Sequence, residues 1–139
     1  HDAIVIINRE ELSETGTYDP YSWRPYKETG TPKIVPYEEP CRMCNDFPCA
    51  NACPSGALTV PSGKAVIGCA VPDHQTCLRA EGEECTSCIE ACPLEEKAAS
   101  EDDEGNIQVS SDLCTGCGFC ENACPQEPPA IRVKPPEGD

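Results

Sequence analysis

The sequence predicts a loop-rich α+β fold of short hairpins and short helices, held together by cysteine ligation in place of a large apolar core. Three observations predict it. Of 139 residues, 13 are cysteine, a density at which cysteine takes over from apolar burial in holding a small fold. Fifteen prolines and ten glycines punctuate the chain too often for long helices or strands. The cysteines also repeat: three runs of four each end in Cys-x3-Cys-Pro, which leaves only Cys69 outside them.

Run three is the most regular, a C-x2-C-x2-C-x3-C-P made of Cys114, Cys117, Cys120, Cys124 and Pro125. Run one has a longer middle gap and comprises Cys41, Cys44, Cys49, Cys53 and Pro54. Run two has its long gap first and comprises Cys77, Cys85, Cys88, Cys92 and Pro93. A cubane iron–sulfur cluster presents its irons at the corners of a tetrahedron. Three thiolates two residues apart can reach three corners from one curling loop, and the x3 step points the fourth sulfur toward a neighbouring cluster. Proline then redirects the chain. Small residues between the ligands, such as Ala52, Ala91, Gly116, Gly118 and Ala123, let backbone amides approach the sulfur.

Two rival chemistries use similar pairs. A C-x2-C pair is equally half of a zinc ribbon, but zinc has no need of the x2-x2-x3-Pro rhythm. A disulfide framework is disfavoured by the odd count and the crowding of the runs. Cys69, in the apolar stretch VIGCAVP, reads as a buried free thiol, with a substitute ligand as the alternative. His74 reads as a surface or outer-shell residue. Trp23, Tyr21 and Tyr26 read as packing residues. No nucleophile–base pair, carboxylate pair or phosphate loop stands out, so the chain reads as an electron carrier and not an enzyme.

Along the chain, Ala3 to Ile7 is a β-like run and Glu10–Glu14 a polar helical candidate. The Pro-, Gly- and Tyr-rich stretch that follows has no clean period and reads as an extended arm. The acidic stretch 94–106 reads as a solvated loop or short helix, and residues 126–139 as one short strand with a Pro-rich tail. A net charge of −15 excludes nucleic acid as a partner, since phosphate neutralisation needs a basic surface. It suits encounter with a basic protein surface. No stretch reaches the ~20 apolar residues of a membrane span.

The segments GTPKIVPYEEPCRMCNDFPCANACPSGAL, CLRAEGEECTSCIEACP and DLCTGCGFCENACPQEPPAIRV resemble the NapG/MauM group of polyferredoxins, over roughly residues 30–134. The resemblance implies bacterial dicluster-ferredoxin-like repeats carrying [4Fe-4S] clusters, three on this chain and four if an upstream run exists. It implies a partition in which Cys41, Cys44, Cys49 and Cys92 hold one cluster and Cys77, Cys85, Cys88 and Cys53 a second. Cys114, Cys117 and Cys120 then belong to a third cluster whose fourth ligand is open, with Cys124 serving either that cluster or a missing fourth one. The family has four runs where this chain has three. The opening HDAIVII fits the strand that leaves an absent first run, so a longer protein, a partner's run and a three-cluster variant closed by Cys124 or Cys69 all stay open.

On the same resemblance, residues 1–37 are the remnant of a first repeat plus a wrapping arm, 38–134 the polyferredoxin domain and 135–139 the tail. The chain would relay single electrons within a hetero-complex, between a quinol- or cytochrome-linked protein and an oxidoreductase. A maturation factor for a client metalloenzyme is the alternative. Group members imply a periplasmic location, with a cytoplasmic one left open.

Overall fold

The computed structural model describes residues 4–6, 32–54, 56, 60 and 65–135. The helical candidate at Glu10–Glu14 and the Tyr-rich arm lie outside them. In chain order the elements are β1 (Ile4–Ile6), β2 (Pro32–Ile34), α1 (Pro48–Asn51), β3 (Cys69–Pro72), a 310 turn (Leu78–Glu81), α2 (Ser87–Glu90), β4 (Ala99–Glu101), β5 (Ile107–Val109), α3 (Phe119–Asn122) and β6 (Ile131–Lys134). The structure is thus small and loop-rich, with a few one-turn helices and two-stranded sheets.

The strands form three antiparallel pairs: β1 with β2, β3 with β6, and β4 with β5. In the second pair Cys69 faces Lys134 and Pro72 faces Ile131. This pair does the long-range work. It joins the strand that enters run two to the strand that leaves run three, and so closes those two runs into one unit.

Each helix is a single turn, because its sequence allows no more. Each begins one residue before the third cysteine of its run: Cys49 in α1, Cys88 in α2 and Cys120 in α3. Each ends at an alanine cap (Ala52, Ala91 or Ala123). The Cys-Pro that follows stops it, since proline cannot extend a helix and pushes its predecessor out of helical geometry.

The core is made of small residues and sulfur. Ala70, Ala98, Ile107 and Ile131 are buried together with Cys88, Cys92 and Cys114. Beside them Glu121 is only 2% exposed. Its Oε2 accepts the Val133 amide at 2.7 Å, which ties α3 to β6. Burial pushes the Glu121 carboxyl upward, opposed by that hydrogen bond and by Arg132.

The acidic stretch 94–106 is a correction to the sequence reading. It contains neither a bare loop nor a helix, because β4 and β5 pair across it, with Ala99 opposite Val109 and Glu101 opposite Ile107. The turn is made by Asp102, whose Oδ1 accepts the amides of Glu104 at 2.9 Å and Asn106 at 2.8 Å. Gly105 supplies the left-handed residue at φ 83°. The Asn106 amide, chiefly, holds the Asp102 carboxyl below its ordinary value.

The sign follows from linkage. A lowered folded-state value means the turn's stabilisation is present above the ordinary aspartate value of ~3.9 and fades as pH falls through the lower one. We predict that Asp102→Asn keeps the hairpin and removes its acid sensitivity, whereas Asp102→Ala opens it at every pH. Amide exchange at Gly105 and Asn106 measures this; equal protection in both variants would contradict it.

Candidate functional site

Two recesses gather the cysteines of runs two and three. The first is lined by Cys77, Cys85 and Cys88 of run two and by Cys124 of run three. The second is lined by Cys114, Cys117 and Cys120 of run three and by Cys92 of run two. The exchange is reciprocal, and the helices produce it. α2 carries Cys88 on the first recess and hands the chain to Cys92 on the second. α3 carries Cys120 on the second and hands it to Cys124 on the first. The remaining walls are mostly apolar, with Leu78, Ile107 and Ile131 around the first and Leu94, Ala98 and Val109 around the second.

This arrangement differs from the partition implied by the resemblance, which placed Cys92 with Cys41, Cys44 and Cys49, and Cys53 with Cys77, Cys85 and Cys88. Neither recess includes a cysteine of run one. The β3–β6 pair is the physical reason. By joining the entry of run two to the exit of run three, it sets α2 beside α3 and brings the two fourth cysteines across to each other's loops.

Backbone amides reach the sulfurs from β3 and from the segment before β6. The Ala70 amide donates to Cys114 Sγ at 3.4 Å and the Ala130 amide to Cys124 Sγ at 3.3 Å. Such bonds favour a ligating thiolate and tune whatever it binds. Burial, with Cys85 and Cys77 nearby, pushes the Cys88 thiol up to about 11. Burial, with Cys117, Cys114 and Cys88 nearby, pushes Cys120 up to about 12. Free thiols so placed hold their protons, so ligation must release them.

All thirteen cysteines are free of disulfides. Eight soft sulfur donors in two sets of four suit either zinc or an iron–sulfur cluster. Each set is spread around the wall of a recess, and among the described residues no three His, Cys, Asp or Glu side chains converge as they would on a single ion.

Run one lies against run three. The Cys41 amide donates to the Cys117 carbonyl at 2.7 Å, and Asn122 Nδ2 donates to the Tyr37 carbonyl at 2.6 Å. Its loop repeats the curl of run three at a cost that run three avoids. Met43 (φ 52°) and Phe47 (φ 43°) are left-handed, at the positions where run three has Gly116 (φ 71°) and Gly118 (φ 90°). Left-handed geometry costs a non-glycine residue about 1–2 kcal/mol, so packing or ligation must hold it there. Cys49 is exposed, and Cys41, Cys44 and Cys53 are half-buried.

Cys69 sits beside Cys114, its thiol donating to the Ala70 carbonyl at 3.6 Å. His74 is exposed. Two cations were missed by the sequence reading. Arg79 Nε donates to the Cys85 carbonyl at 2.7 Å, and Lys97 Nζ donates to the Cys92 carbonyl. The available signal was a basic residue inside or just after run two, in a chain with only 10 Lys and Arg against 25 Asp and Glu.

A family model described as a 4Fe-4S binding domain matches residues 107–129, which contain all of run three. Among curated relatives, the methylamine utilization ferredoxin-type protein MauM of Methylobacillus flagellatus is 43% identical over 127 residues, covering 84% of this chain and 54% of that protein. The ferredoxin-type protein NapG of Haemophilus influenzae is 42% identical over 122 residues, covering 78% and 44%. MauM of Paracoccus denitrificans is 44% identical over 131 residues, covering 86% and 58%. The chain therefore spans about half the length of the curated relatives it matches. No solved structure matches it. Over the part of those proteins that it covers, the chain belongs to the NapG/MauM ferredoxin-type proteins.

Proposed function

We propose that the chain relays single electrons through [4Fe-4S] clusters. One cluster would be held by Cys77, Cys85, Cys88 and Cys124, and a second by Cys114, Cys117, Cys120 and Cys92. The observation that carries this is the reciprocal exchange of fourth cysteines, which matches the crossing of a bacterial two-cluster ferredoxin. Runs two and three then form one dicluster repeat. A third cluster would be held by Cys41, Cys44 and Cys49, supported by the shared left-handed positions of runs one and three, with its fourth ligand outside the two recesses.

A bound [4Fe-4S] cluster supplies one-electron acceptance and donation. The chain's own residues bury it, ligate it and aim amides at its sulfur ligands. α2 and α3 each join a ligand of one site to a ligand of the other through three intervening residues of backbone, and the Cys41–Cys117 hydrogen bond joins run one to run three. The resulting order is run one, then the Cys92 site, then the Cys124 site.

This reading makes residues 38–134 the electron-transfer domain, with no catalytic centre of its own. It extends to a hetero-complex with redox proteins, such as an oxidoreductase subunit and a cytochrome or quinol-linked donor. The names of relatives support such a setting: MauM in methylamine utilization, and NapH of Escherichia coli, a ferredoxin-type protein 35% identical over 82 residues. A periplasmic location belongs to the same proposal. No helix among the described residues is long and apolar enough to cross a membrane.

The test is EPR-monitored redox titration of the anaerobically purified chain. We expect brown protein with several reducible S = 1/2 components. A colourless protein, or one without reducible components, sinks the proposal.

A further inference from the structure

The seven-residue gap between Cys77 and Cys85 sets run two apart from the other runs. An insertion at that point lengthens a loop that must still present both cysteines to one recess, so something must fasten it. The 310 turn Leu78–Glu81 folds the first half, and Gly82 ends it with a left-handed cap at φ 86°. The fastening comes from Arg79 in that turn. Its guanidinium side chain is only 10% exposed. Nε donates to the Cys85 carbonyl at 2.7 Å. Nη1 donates to the Gly105 carbonyl at 2.7 Å. Nη2 pairs with Glu101 Oε2 at 2.9 Å.

One planar fork thus pins the insert to the run's second cysteine, to the end of β4 and to the turn of the β4–β5 hairpin. Lysine, with a single point charge, cannot reproduce three directed contacts. The charge also has a direction of effect. It lies two residues after Cys77 and on the Cys85 carbonyl, in an otherwise acidic chain. A cation there favours the more negative, reduced form of whatever those cysteines ligate. Glu101 works against it from the same hydrogen-bonded group.

We propose that Arg79 is a positioning and potential-setting residue for the Cys77/Cys85/Cys88/Cys124 site: it clamps the run-two insert and holds that cluster's reduction potential up, with Glu101 as the opposing charge. The inference rests on the cluster-binding reading above. Its consequence is that two sites related by exchanged ligands are not equivalent. The second site has instead the exposed Lys97, whose ammonium contacts the Cys92 and Glu90 carbonyls.

The experiment is EPR-monitored redox titration of the full chain as wild type, Arg79→Met, Arg79→Lys and Glu101→Gln, with iron content measured on each. Arg79→Met should lower one midpoint potential and leave the others in place. Its reduced-to-oxidised ratio at fixed potential should fall by up to about tenfold, which is ~59 mV for one electron. Glu101→Gln should raise the same midpoint. Arg79→Lys should keep the midpoint near wild type yet show faster proteolysis of residues 78–84, because the charge survives and the fork does not.

A merely structural role would move the Arg79→Met and Glu101→Gln midpoints in the same sense, since both loosen the same clamp. That result, or unmoved midpoints at full iron content, overturns the proposal. If Arg79→Met fails to take up iron, Glu101→Gln decides alone: it must raise that midpoint while Arg79→Lys leaves it near wild type, and a Glu101→Gln midpoint that falls or stays put overturns the proposal. A wild-type chain without reducible clusters defeats the electron-transfer reading itself, and that outcome is separate from these.

Discussion

Replacing Cys124 with alanine is expected to remove the cluster of run two and leave that of run three. Run-by-run ligation would predict the reverse. In the structure Cys124 lines the recess of Cys77, Cys85 and Cys88, while Cys92 completes that of Cys114, Cys117 and Cys120. Double variants give the clearest reading. Cys124→Ala with Cys85→Ala should lose no more iron than Cys124→Ala alone, because both ligands serve one site. Cys124→Ala with Cys117→Ala should lose two clusters' worth of iron and two reducible EPR components. The Cys92 pairings should mirror this. If Cys124 and Cys117 behave as one unit instead, the exchange between runs is wrong. The effect is large because a cluster site exists only in the folded state, so losing a ligand also withdraws the folding free energy that binding supplies.

The second large effect is steric. Gly116 is left-handed at φ 71°, and a Cβ built on it would lie 2.5 Å from the Gly68 backbone nitrogen and 2.6 Å from the Gly68 carbonyl carbon and oxygen. Those atoms cannot retreat. The Ile67 amide beside them is bonded to the Thr115 carbonyl at 2.9 Å, and Gly68 has no room of its own, since a Cβ built on it would clash with the Lys134 carbonyl. Gly116→Ala therefore combines backbone strain of about 1–2 kcal/mol with overpacking of about 1–3 kcal/mol.

Gly82 is the control, left-handed at φ 86° with nothing within 4 Å of a built Cβ. Gly82→Ala should show strain alone. Thermal unfolding and iron content of the two variants decide the matter. Gly116→Ala should unfold at clearly lower temperature and lose the cluster of the second recess, and equal behaviour of the two would refute the close approach.

Much of this was legible from residues in sequence. Ligand chemistry follows from spacing, because a cubane's corners demand thiolates at short, repeated intervals, and three runs with one rhythm state that demand three times. The one-turn helices follow as well, since Cys-Pro ends each of them. The strand at Ile131–Lys134 was visible between its prolines, and the β-like run at Ala3–Ile7 contains β1.

The β4–β5 hairpin was not visible. Its strands are three residues long, too short to display a period of two, and its turn DDEGN reads first as acidic solvation. The only local sign was an aspartate three residues before a glycine. Arg79 and Lys97 were missed for a different reason. Their partners are backbone carbonyls, which carry no sequence signature.

What the sequence by itself determined is the rhythm of the cysteines and the class of cofactor that rhythm suits. Only the tertiary structure set which cysteines of runs two and three line each of the two recesses. The physical reason is that spacing within a run is covalent and local, whereas the identity of the exchanging run depends on which strands pair. Run one could exchange with run two, or run two with run three, at the same local cost. The antiparallel pairing of Cys69–Pro72 with Ile131–Lys134 joins the entry of one run to the exit of another and selects the second.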